Sequence, residues 1–264
     1  MGKALAPVAV LALLCFMNGV AGAQPTPSLD AFKSANNQLL ASIERAEKAG
    51  GELPRITDPV TRPMFEGAFN ERVLSGVDKS NVGELLDICS QPIKVAVAYS
   101  LHGLDKVARS TSQNQLPAVS AAVMNRNSVT YQDEEVVALA FATSCAALEI
   151  PAMTKFWEGL PAAERTATRR QGLAHARHGI MELYAGVLTM QNQPSYSAAN
   201  RATALDAAEK HAGAFAYALA LEDRKSVIGL INVALASATP AERVKLIRVR
   251  DVMSIATCTG LCAV

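Results

Sequence analysis

Apolar residues recur every three or four positions along nearly the whole chain, and strict two-residue alternation is scarce. That period predicts helices. Ser28 is placed to cap one running to about Gly50, with Leu29, Phe32, Leu39, Leu40 and Ile43 on its apolar side. The stretch GELPRITDPVTRP has three prolines and no period, and reads as a linker. A short helix is expected from Pro63 to about Leu74. The next, capped by Ser80, meets Pro92, where a kink or break is expected before it continues to about Leu104. The polar run RSTSQN opens the best candidate for an internal boundary, near 109–115. A helix over about Pro117–Met124 is expected next. A long helix follows from Ser128 or Thr130 to Ile150, where Pro151 should interrupt it. Pro161 suits the first turn of another helix, and Thr239-Pro240-Ala241-Glu242 has the form of a capping box. Helices over Asn200–Leu221, Ser226–Ala236 and Pro240–Thr257 complete the reading, with Gly260 as the final stop. The fold class expected is all-α, a multi-helix bundle of about nine or ten helices, some kinked at prolines.

The segment Ala163–Gln191 carries a heptad pattern. With Leu173 at position a, the a and d positions are Leu173, Ala176, Ile180, Leu183, Val187 and Met190, all suited to a core. Gly172, Gly179 and Gly186 precede successive a positions, drifting only about 40° around an ideal helix. Each glycine costs ~1 kcal/mol of helix propensity relative to alanine. A closely approaching helix would offset that cost, and the alanine-rich stretch Ala198–Ala220 is the expected neighbour. A ligand groove along the glycines is the alternative.

The first 23 residues read differently. Lys3 precedes an apolar stretch from Ala4 to Val20, and Ala21-Gly22-Ala23 fits a small-x-small cleavage site. A cleaved signal peptide over 1–23 is therefore expected, leaving 24–264 as a single helical domain. Cys15 follows Leu14, where lipid attachment wants a small residue. No stable membrane anchor is expected after cleavage, and the protein should be periplasmic or secreted. The absence of an N-x-S/T sequon after residue 23 favours a bacterial periplasm.

Composition narrows the function classes. The chain holds 25 Lys and Arg against 24 Asp and Glu, and removal of Lys3 brings the two to equality. A mature chain with no net charge exerts no long-range pull on nucleic acid, so none is expected as a partner. Aromatics make up 5% of residues, too few for a stacking platform. Cysteines 89, 145, 258 and 262 form an even set, which in an oxidising compartment suggests disulfides. Of three possible pairings, Cys89–Cys145 with Cys258–Cys262 is favoured. The first closes a loop of about 57 residues, worth roughly 4 kcal/mol in the chain-entropy account.

Candidate chemistry is sparse. His175, His178 and Glu182 lie on neighbouring turns and present a candidate metal set, although the heptad frame puts them on the solvent side. Arg170, Arg177 and Tyr184 share one stripe and form a candidate face for an anion or acidic partner. Arg243, Lys245, Arg248 and Arg250 cluster in sequence but divide between sides of a helix. His102 and His211 are isolated, and Phe156-Trp157 reads as core. No G-x-S-x-G, Walker loop, H-E-x-x-H, C-x-x-C-H or EF-hand loop occurs, and no cofactor is implied. The expectation is an exported helical protein that engages a protein or peptide partner, leaning away from an enzyme. The alternative is a metal- or small-molecule-binding bundle using the His175/His178/Glu182 face.

Overall fold

A computed structural model describes residues 28–77, 82–255, 257–258 and 260–263. The expected signal peptide and the Ser80 cap lie outside the described residues. Within them the protein is all-α: ten α-helices, four short 3-10 turns and no strand.

The helices are α1 (Leu29–Ala49), α2 (Arg62–Ala68), α3 (Val82–Leu101), α4 (Leu104–Ala108), α5 (Leu116–Thr130), α6 (Gln132–Gly159), α7 (Ala167–Thr189), α8 (Ala198–Ala218), α9 (Leu221–Ser237) and α10 (Pro240–Ile255). Several ends follow from local chemistry. Ser28 accepts a hydrogen bond from Ala31 N at 3.1 Å, and Gly50 closes α1 at φ 68°, where a side chain would be strained. Glu242 accepts from Thr239 N at 2.8 Å while Thr239 Oγ1 accepts from Glu242 N, which is the capping box expected for α10. Gly260 does not stop a helix. The last α-helix ends at Ile255, and Gly260 opens a 3-10 turn.

Two buried clusters fill the interior. The first draws on α1, α2 and α3, with Phe32, Leu39, Phe65, Leu85, Ile88 and Tyr99 fully buried. The second draws on α7 to α10, with Tyr184, Phe215, Val227, Ile231 and Val249 fully buried. Helix α6 serves both: Phe141, Cys145 and Ala152 face the first, and Val136, Ala146 and Ile150 face the second. The division between clusters therefore falls along α6 rather than at 109–115. That polar segment joins α4 to α5, with first-cluster residues Tyr99 and Tyr131 on either side. Among the described helices only α6 is long and apolar enough to cross a bilayer, and 56% of its most apolar window is buried inside the protein.

Neither internal proline interrupts its helix. Pro92 lies within α3 and Pro151 within α6, and both helices are assigned without a break. Each proline withholds one N–H from the carbonyl four residues earlier. Packing between α3 and α6, tied by Cys89 and Cys145 at disulfide distance with Cα atoms 5.4 Å apart, outweighs that local loss. The second pair, Cys258 and Cys262, stands at disulfide distance with Cα atoms 5.3 Å apart. It belongs to a docked tail: Arg224, buried in α9, donates to Leu219 O at 3.0 Å, Thr257 O at 3.3 Å and Cys262 Sγ at 3.3 Å.

The glycine seam is not a packing seam. A Cβ built at Gly172, Gly179 or Gly186 meets no neighbour within 4 Å. Helix α7 instead buries Ile180, Tyr184, Val187 and Leu188, an arc that leaves the glycines about 100° or more around the helix from its centre. Tyr184 turns it: its ring stacks on Phe215 with centroids 4.2 Å apart, and its hydroxyl donates to Ala208 O at 2.8 Å. An aromatic ring buries far more surface than alanine or glycine, so the helix rotates to place it inward.

Candidate functional site

Helices α6 and α8 run side by side in the same direction. Asn200 Nδ2 meets Asp133 Oδ1 at 2.6 Å at their first turns, and Ser144 Oγ meets His211 Nε2 at 2.9 Å farther along. Past that point α8 presents two small residues, Gly213 and Ala214, before Tyr217. Two adjoining cavities of about 360 and 330 Å3 lie between the helices and share Ala214. Together they form a groove from Ser144 to Glu158, about 20 Å long at the helical rise. Ala147, Gly213 and Ala214 line it near the polar end, and Ile150, Pro151, Thr154 and Tyr217 near the other. A Cβ at Gly213 would meet nothing within 4 Å, so the groove is open there. Pro151 has no N–H to give to the Ala147 carbonyl, so that carbonyl lacks its usual helical partner.

The polar end gathers residues scattered in sequence. Glu71, from the 3-10 turn after α2, accepts from Ser144 Oγ at 2.7 Å and pairs with Lys210. Ser144 Oγ also contacts His211 Nε2. Burial alone would raise the Glu71 carboxyl, but hydrogen bonds from Lys210 and Ser144 outweigh it and hold it below its ordinary value. Burial, helped by Lys210, lowers His211. His211 is therefore mainly neutral at pH 7.

A serine, a histidine and a glutamate in contact invite comparison with a hydrolase triad, and the geometry answers against it. The Ser144 hydroxyl has one proton, which goes to the Glu71 carboxylate. His211 Nε2 then carries the proton it shares with Ser144 Oγ, the reverse of a base poised to activate a nucleophile. Ser144 is 2% exposed, and it lies in mid-helix, where peptide N–H groups are already committed and offer no oxyanion hole. The cluster fixes the 3-10 turn Glu71–Ser75 to α6 and α8 and closes one end of the groove with a balanced set of charges.

The residues singled out in sequence are not brought together there. His175, His178 and Glu182 are exposed on α7. His178 Nε2 stands 3.2 Å from Glu182 Oε1, but among the described residues no group of three ligating side chains is arranged to hold a metal ion. The stripe of Arg170, Arg177 and Tyr184 divides: Arg170 is exposed, Arg177 donates to Leu261 O at 3.3 Å, and Tyr184 is core. Tyr184 is thus withdrawn from any partner face for the same packing reason that turns the glycines outward. Of Phe156-Trp157, Trp157 is buried as expected, whereas Phe156 is 54% exposed. Lys245 and Arg248 pair with Asp206 and Glu209 of α8, and Arg243 donates to Leu235 O.

The sequence assigns Ser144 no role, and it leaves His211 isolated, with a hydrogen bond at the core edge as the expectation. Their partners lie 73 and 67 positions away, so no local spacing reveals them. A hydroxyl inside the apolar run of α6 was the available signal. Comparison with protein-family models, with curated proteins and with solved structures finds no match to this chain.

Proposed function

We propose that the protein is exported through a cleaved leader and acts in the periplasm by binding a partner's peptide segment in the groove between α6 and α8. The carrying observation is the groove itself, about 20 Å long and open where Gly213 leaves space, with Ala147 and Ala214 beside it. An extended segment laid there approaches the helix backbones closely. The charges at the groove ends come in opposite pairs, Glu71 with Lys210 and Lys155 with Glu158, so they favour an uncharged, small and apolar segment. Two cysteine pairs at disulfide distance accord with an oxidising compartment.

Photo-crosslinking in the native host tests this. A benzophenone side chain placed at Ala214 or Leu148 should yield a discrete adduct with one protein, and the same probe at Val60, exposed on the linker, should not. Adducts from Val60 as strong as those from Ala214, or none from either groove position, refute the groove. Elemental analysis of the same purified protein tests the alternative of a metal on His175, His178 and Glu182. A stoichiometric metal lost with those side chains would favour it.

A further inference from the structure

A separate cavity of about 390 Å3 lies where the turn between α7 and α8 meets the end of α9 and the first turn of α10. Arg201 and Glu242 both line it. Arg201 Nε stands 3.7 Å from Glu242 Oε1, an ion-pair separation rather than a close hydrogen bond, and both side chains are largely shielded, at 25% and 18% exposure. Each is anchored on its other edge. Arg201 Nη1 donates to Tyr196 O at 2.7 Å, and Glu242 Oε2 accepts from Thr239 N and Thr239 Oγ1, both at 2.8 Å. These structural bonds hold one positive and one negative group side by side at the cavity wall. Gln191 and Gln193 add amides, while Ala234 and Leu246 make part of the wall apolar.

We infer that this cavity binds a free α-amino acid as its zwitterion. In that ligand a carboxylate and an ammonium share one carbon, a spacing that matches a guanidinium and a carboxylate less than 4 Å apart. The ligand carboxylate takes the free N–H groups of Arg201, and the ammonium donates to Glu242 Oε1. Arg201 and Glu242 neutralise each other, so a ligand with a single charge adds an unbalanced charge to a shielded site. A zwitterion satisfies both and adds no net charge to a shielded site. The amides and the short apolar wall suit a small or amide-bearing neutral side chain better than a charged one. This site shares no lining residue with the groove between α6 and α8, and the inference does not depend on peptide binding there.

Isothermal titration of the full mature protein at pH 7 with glycine, alanine, serine and glutamine is the test. At least one should give saturable heat. Its N-acetyl and α-amide derivatives, each lacking one charge, should bind at least about tenfold more weakly. Glu242→Gln keeps a side chain that the capping box accepts, so the fold survives while the negative charge is lost. This variant and Arg201→Gln should each weaken binding by about tenfold or more. Circular dichroism checks that both are folded, and if Arg201→Gln is not, Glu242→Gln alone decides. No saturable heat from any of the four, equal binding of the blocked derivatives, or unchanged binding by Glu242→Gln overturns the inference.

Discussion

Replacing Pro151 with alanine should stabilise the protein and weaken the proposed binding together. Pro151 lies inside α6 and is exposed, so the change leaves no buried void. In an isolated helix proline costs about 3 kcal/mol relative to alanine. Part of that is steric, and α6 already absorbs it by continuing unbroken to Gly159. What alanine restores is one N–H to the Ala147 carbonyl, worth about 1 kcal/mol, and the remainder of the helical preference. Against this, the unfolded chain gains freedom when proline is removed, which costs about 0.4–1 kcal/mol. The balance is a gain of about 1–2 kcal/mol, a rise in Tm of roughly 2–4 °C at this chain length. Thermal and urea melts followed by circular dichroism measure it. The crosslinked adduct at Ala214 should fall in the same variant, because the Pro151 ring is part of the groove's apolar wall. A midpoint at or below that of the unsubstituted protein refutes the stability argument. A stabilised variant with undiminished adduct refutes the role given to the Pro151 ring.

Two further predictions rest on single positions. Because a Cβ at Gly179 meets nothing, Gly179→Ala should raise stability by ~0.5–1 kcal/mol and Gly179→Leu should not lower it; a urea midpoint for Gly179→Leu well below that of the unsubstituted protein would restore the packing account. Burial, with the neighbouring Glu134 charge, lifts the Glu135 carboxyl to about 7. The folded state then holds a proton that the unfolded chain releases near 4.5, so stability is fully present below about 4.5 and is lost as pH rises towards 7, by up to about 3 kcal/mol. Glu135→Gln keeps the neutral form, and should match the unsubstituted protein at pH 4.5 and exceed it at pH 8. Equal melts of the two proteins at pH 8 would show that Glu135 is solvated when charged.

Helix existence was legible because period and caps are local. Ser28, Gly50 and Thr239–Glu242 act within a few residues of themselves, and they stand as the sequence implies. The errors came where long-range packing overrides a local rule. Pro92 and Pro151 break isolated helices, yet here each helix is clamped against others along its length. The heptad frame on α7 treated all apolar positions as equal, so it missed that Tyr184 outweighs Leu173 or Ala176 in deciding which way the helix faces. The candidate site was hardest to see. Its hydrogen bonds join positions far apart in the chain, and Ala147, Gly213 and Ala214, which line it, read as ordinary helix filler.

The placement of α6 explains why a groove can be open beside it without loss of the fold. Its first turn already ties several segments: Glu134 Oε1 accepts from Arg55 Nε at 3.1 Å and Ile56 N at 2.8 Å, and Gln132 Oε1 accepts from Ser197 N at 2.7 Å. Its middle contributes to both buried clusters. A helix fixed at its start and on two sides can leave its third side uncovered, because the stability of both clusters is set by the faces turned inward. The exposed side then needs no large side chains, and Pro151 on it and Gly213 on α8 shape a groove instead of a core. The same logic separates the residues by consequence. Substitutions at Phe141, Ala146 or Ile150 should damage one cluster or both, whereas changes at Lys155 or Glu158 should alter what the groove accepts while leaving the helix in place.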